Sequence, residues 1–104
     1  MRNVLVCLIL CFSISNVYAF ESAVGRVTSI EASYLPGTMF FSLDGGSKSC
    51  PAGVRIEWSK ADLANNKAVY ATLLTSLVAG KKLSIVINDG DTNCKGQFIY
   101  IVAD

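Results

Sequence analysis

The stretch NNKAVYATLLTSLVAGKKLSIVI, residues 65–87, holds a helix, a stop and a strand in one run. From Ala68 to Ala79 the large apolar residues are Val69, Tyr70, Leu73, Leu74, Leu77 and Val78. Steps of three and four gather such residues on one face of a 3.6-residue helix. Ala71, Thr72, Thr75 and Ser76 then take the opposite face. Asn65 or Asn66 is a cap-type residue for the start, and Gly80 stands where a left-handed residue ends a helix. Beyond it Leu83, Ile85 and Ile87 alternate with Lys82, Ser84 and Val86, the period of a strand. A helix with so much apolar surface needs a sheet to lie on, and Leu74 and Leu77 are expected to be buried there.

Working outward toward the N-terminus, the hairpin comes first. Val24 to Tyr34 reads as a long strand that Gly25 lets bend. Leu35-Pro36-Gly37 signals a turn, and Met39, Phe41 and Leu43 alternate with Phe40 and Ser42 as its partner strand. A polar loop, Asp44 to Ser49, leads to Cys50 and to a third strand in which Val54, Ile56 and Trp58 alternate with Arg55 and Glu57. Ser59 and Asp62 are cap-type residues in the polar segment before the helix. Toward the C-terminus, Asn88 to Asn93 is dense in turn formers, and Gln97 to Val102 is a last strand with both faces apolar. Such a strand is expected to be covered on both sides, by its own core or by another subunit.

The first nineteen residues read as a secretory leader. Arg2 supplies the positive start, Val4 to Ile14 the apolar run, and Val17-Tyr18-Ala19 the cleavage site. Cleavage is expected after Ala19, which makes residues 20–104 one small domain with no membrane insertion expected. Losing Arg2 leaves eight basic residues against eight acidic ones, so nothing in the charge directs the domain to nucleic acid. Cys7 and Cys11 leave with the leader, and Cys50 and Cys94 remain in a chain addressed to an oxidising compartment. One disulfide between them is expected. Closing a loop of that length stabilises a small fold by about 4 kcal/mol in the chain-entropy model.

The element order, three strands, a helix and two strands, describes an α+β, mostly β domain. It is also the order of the OB-fold, a five-stranded curled barrel with one helix between strands three and four, and that is the architecture expected. The chain has no histidine, which removes the commonest general base and transition-metal ligand together. No catalytic constellation is present, so no enzyme, no cofactor and no metal are expected. Asp89-Gly90-Asp91-Thr92-Asn93 is similar to the opening of a calcium loop, but Cys94 stands at its sixth position and Tyr100 at its twelfth. A polar loop tied down by the disulfide is the simpler reading. Trp58 reads first as core, and otherwise as a ring on which a sugar stacks.

Three pieces carry a family resemblance. They are the helix Val69-Tyr70-Ala71-Thr72-Leu73-Leu74 with Ala79-Gly80-Lys81-Lys82 and the Leu83 strand, the leading pair Gly25-Arg26-Val27 and Met39-Phe40-Phe41, and the cysteine-bearing loops. Together they resemble the B subunits of AB5 bacterial toxins, within the subtilase-cytotoxin B-subunit-like group of small secreted proteins. That resemblance implies an OB-like barrel, a ring of subunits, a toxin A subunit as partner, and recognition of host-cell glycans; the open strand edges and the apolar last strand are in turn expected to pair in such a ring. Trp58, Asp89, Asp91 and Asn93 are the residues expected to contact the ligand. The competing expectation is a monomeric periplasmic protein of inhibitor type without a sugar ligand.

Overall fold

The computed structural model describes residues 19–104, and residues 1–18, where nearly all of the expected leader falls, lie outside it. Five strands form one antiparallel sheet: β1 (Phe20–Glu31), β2 (Met39–Leu43), β3 (Ile56–Trp58), β4 (Lys82–Asn88) and β5 (Phe98–Val102). One helix, α1 (Leu63–Ala79), stands between β3 and β4. The strand order is β3-β2-β1-β4-β5, so β1 is central and β3 and β5 are the edges. The sheet is not closed into a barrel. Its two ends are joined by a single parallel bridge, Glu57 with Lys95, rather than by a ladder. Glu57 N–H donates to the Cys94 carbonyl at 2.9 Å, and its own carbonyl accepts from Gly96 N–H at 2.8 Å.

Strand β1 is longer and earlier than its alternation alone suggests, because Phe20, Glu21 and Ser22 find partners in Asn88, Ile87 and Val86 of β4. Its C-terminal half turns to pair with β2, and the change of partner is made at a bulge. Val27 faces Leu43 and Ser29 faces Ser42, which leaves Thr28 as the extra residue. The kink therefore sits beyond Gly25, where the sequence suggested it. On β3 the expected first residue, Val54, belongs instead to a turn, with its N–H donating to the Pro51 carbonyl at 3.1 Å.

The strands' inward residues make the core. Ala23, Val27, Met39, Phe41, Leu43, Ile56, Trp58, Leu83, Ile85 and Ile87 form one buried cluster with Val69 and Leu73 of the helix. Cys50 and Cys94 join the cluster as a disulfide that ties the loop after β2 to the loop before β5.

The helix differs most from its sequence reading. Its N-cap is Asp62, whose carboxylate accepts from the N–H groups of Ala64 and Asn65 at 3.0 and 3.2 Å, so it begins a turn before Asn65 and Asn66. Gly80 ends it at φ 68°, in the left-handed region, and Arg26 Nε donates to the Gly80 carbonyl at 2.9 Å. The buried face is Asn66, Val69, Leu73 and Ser76. Leu74, Leu77 and Val78 are 42, 40 and 82% exposed, contrary to the expectation that the leucines lie on the sheet.

The cause is Asn66, fully buried. Its amide nitrogen donates to the carbonyls of Pro36 and Lys60 at 2.8 and 2.9 Å, and its oxygen accepts from Lys60 N–H at 2.9 Å. Those backbone groups belong to half-buried residues, and a buried polar group that loses its partner costs about 1–3 kcal/mol. Satisfying them rolls the helix toward its polar flank and leaves half of the apolar stripe in solvent.

Candidate functional site

A groove of about 430 Å³ lies between the first turns of α1, the end of β3 and the start of β5. It is the slot left where β3 and β5 fail to meet. Trp58, Val69 and Ile99 give it an apolar floor, and Lys60, Asp62, Asn65 and Gln97 a polar rim. Phe98 and Tyr100 of β5 form the opposite wall.

Each wall follows from local chemistry. Trp58 ends β3 on its inward register, so its ring turns into the core and is only 3% exposed. Its indole N–H donates to the Asn65 side-chain oxygen at 3.1 Å, which fixes both groups at the groove's edge. Gly96 passes across the ring, where a Cβ would lie 2.6 Å from Cε3, so a larger residue would push the strand away or tilt the indole. Lys60 Nζ stands 5.0 Å from the centre of the Trp58 ring and 3.4 Å from Gln97 Oε1. An ammonium over an indole face is attracted by the ring quadrupole. The result is an aromatic floor ringed by two amides, an ammonium and a carboxylate, which offers donors and acceptors at short range but no nucleophile poised beside a base.

A second hollow, of about 260 Å³, lies over Phe40 between β1 and β2. Arg55 fills its mouth, stacked 3.6 Å above the Phe40 ring and paired with Glu31. It offers less room to a ligand.

Of the residues expected to touch ligand, the structure brings only Trp58 to the groove. Asp91 is half-buried in the loop before β5 and works on its own backbone. Its two carboxylate oxygens accept from Asn93 N–H at 2.9 Å and Lys95 N–H at 3.2 Å. Asp89 and Asn93 are exposed on the same loop. Asp89 N–H donates to the Ala19 carbonyl at 3.0 Å, which anchors the start of β1. Among the described residues no group of three or more Asp, Glu, Cys or His side chains is gathered closely enough to hold a metal ion. The calcium-loop likeness is therefore met by a turn that spends its carboxylate on backbone N–H groups.

Glu21 is the organising residue that the sequence did not reveal. Its carboxylate accepts from the Ser47 hydroxyl at 2.6 Å, from Ser49 N–H and hydroxyl at 2.8 and 2.9 Å, and from Gly90 N–H at 3.2 Å. The Ser47 hydroxyl bond first, then the Ser49 backbone bond, hold its pKa down at about 2. One side chain thus ties β1 to both loops that carry the disulfide. Its donors lie 26 and more residues away in the chain, and no local pattern marks it.

No protein-family model matches the chain, and neither does any curated protein or solved structure. The functional reading therefore starts from the groove and the surfaces beside it.

Proposed function

We propose that the domain is a secreted, non-enzymatic binding subunit, OB-like in architecture and of the AB5 toxin B type, which recognises cell-surface glycans and acts as a homo-oligomer. The OB-fold is itself a partly open five-stranded barrel. The strand order supports that assignment, as does the Glu57–Lys95 bridge, which sits where β3 would meet β5 on closure.

The observation that carries the functional reading is the groove over Trp58. Sugars present an apolar ring face edged by hydroxyl groups. The half-exposed rings of Phe98 and Tyr100 on one wall, with Lys60, Asn65 and Gln97 at the rim above the buried Trp58, support that pattern. A volume of about 430 Å³ accommodates one or two sugar units, within the range of ligand pockets generally. One such site binds weakly, and several on one assembly raise avidity by about 10² to 10⁴ without any new contact.

The test uses the disulfide-intact mature protein on a glycan array, followed by titration of the best saccharide against intrinsic fluorescence. Trp58 is the one tryptophan of the chain, so its emission has a single source, at the boundary of the core and the groove. Saccharide is expected to shift that emission, Lys60→Ala and Gln97→Ala to weaken binding about tenfold each, and Asp89→Ala and Asn93→Ala to leave it unchanged. Absence of binding to any glycan by folded protein, or binding that leaves Trp58 emission and the Lys60→Ala affinity unaltered, would overturn the assignment.

A further inference from the structure

The outward face of β1, β4 and β5 carries, among Ser22, Ser84 and Asn88, an apolar patch that nothing among the described residues covers. Phe20 and Val24 of β1 and Phe98 and Tyr100 of β5 share it, at 55, 43, 50 and 54% exposure. Phe20 and Phe98 already meet edge to face across the sheet, with ring centres 5.9 Å apart. Half-exposed aromatic residues each leave on the order of 100 Å² in water, so the patch reaches the few hundred Å² at which exposed apolar surface marks an interaction site. It lies on the other side of the sheet from α1 and from the groove floor.

Charge is distributed unevenly along the strands of this face. At one end stand Arg26, Lys81 and Lys82, against which Asp104 sets one carboxylate, 3.3 Å from Arg26 and 3.8 Å from Lys81. At the other end, beside Phe20, the β4–β5 loop carries Asp89 and Asp91, with Lys95 beyond them. Asp44, whose carboxylate accepts from Arg26 N–H at 2.7 Å, also stands at the first end, which leaves that end one net positive charge and the Asp89 end one net negative charge.

We propose that a second copy of this chain packs face to face on this surface, about a two-fold axis that lies between the sheets and runs perpendicular to the strands. It rests on the oligomeric half of the reading above, replaces an edge-paired ring by a face-to-face pair, and shares Phe98 and Tyr100 with the wall of the groove. Sheets pack aligned about 10 Å apart with side chains interdigitating. That axis reverses the strands, so Phe98 and Tyr100 of one copy meet Tyr100 and Phe98 of the other, and the Lys82 end of each lies over the other's Asp89. An axis parallel to the strands would instead set basic end on basic end. Charge complementarity selects the first arrangement. A ring joined head to tail by strand edges needs two different free edges. The edge of β5 is free, but Glu57 in three-residue β3 already spends its N–H and carbonyl on Cys94 and Gly96.

Sedimentation equilibrium on the disulfide-intact mature protein, over a range of concentrations, tests the interface. The expected native mass is that of two chains. Val24→Asp, which puts a carboxylate within the contact, is expected to weaken self-association about 30-fold or more. Lys82→Glu is expected to weaken it by opposing acid to acid, and Lys82→Glu combined with Asp89→Lys to restore it. That restoration excludes misfolding as the cause of the single variant's loss. A mass of one chain at every concentration, a larger ring that Val24→Asp leaves intact, or a double charge reversal that fails to restore association would each overturn the proposal. Saccharide titration of a monomeric variant against Trp58 emission separates this outcome from failure of the groove assignment.

Discussion

The two faces of β1 are made of similar residues and lead different lives. Ala23, Gly25 and Val27 point inward, where β2, β4 and the helix bury them with Leu83, Ile85 and Ile87. Phe20, Ser22 and Val24 point outward, and nothing in the described chain covers them. Hydrophobicity alone does not decide which face becomes core. The inner face won because the chain brings a helix, a disulfide and two polar anchors, Asn66 and Glu21, to that side of the sheet. The outer face is left uncovered among the described residues, and it is the face proposed to take a second copy.

The comparison sharpens into an ordered set of expectations. The largest effect belongs to the disulfide: replacing Cys50 and Cys94 by serine is expected to cost about 2–5 kcal/mol, measured by urea unfolding. Leu73→Ala, which empties a fully buried position under the helix, falls in the same range of about 2–5 kcal/mol, at the upper part if the cavity fails to collapse. Asn66→Ala follows at about 3 kcal/mol, because it strands the carbonyls of Pro36 and Lys60 and the N–H of Lys60.

Glu21 gives an effect whose pH dependence is confined to acid. Its pKa falls from an ordinary 4.5 to about 2 on folding, so its contribution is complete above pH 4.5 and fades as the pH drops toward 2. Melting temperatures of wild type and Glu21→Gln are therefore expected to converge between those pH values. The smallest effect is Leu74→Ala: one residue from Leu73 but 42% exposed, it is expected to cost about 1 kcal/mol or less. Equal losses for Leu73→Ala and Leu74→Ala would place the helix on the face that the apolar spacing alone suggested.

The pair Leu73 and Leu74 also marks where sequence reading stops. On strands, the pleat sends alternate side chains to opposite faces, so the buried sets Met39-Phe41-Leu43 and Leu83-Ile85-Ile87 were legible residue by residue. On a helix, a stripe six residues rich can be rolled either way, and a single buried amide decided it. Asn66 was legible as a helix-start residue and not as a core residue, because its partners, Pro36 and Lys60, come from other parts of the chain. The disulfide followed from two cysteines in a small domain. Of the site, Trp58 was legible as an aromatic on an alternating strand. Lys60, Asn65 and Gln97 were not, since only the missing β3–β5 ladder brings them together, and that gap is a fact of topology rather than of composition.

One substitution made twice tests the division between the faces most directly. Val24 and Val27 lie three residues apart on β1, the first outward at 43% exposure and the second inward at 5%. Val→Thr changes a methyl to a hydroxyl at nearly constant shape. The measurement is the unfolding free energy of Val24→Thr and Val27→Thr in urea, with protein diluted until its native mass is that of one chain. Val27→Thr is predicted to lose about 1–3 kcal/mol through its buried hydroxyl, and Val24→Thr to stay within about 0.5 kcal/mol of wild type. Equal losses at the two positions, or a larger loss at Val24, would contradict the assignment of the inner face to the fold and the outer face to a partner.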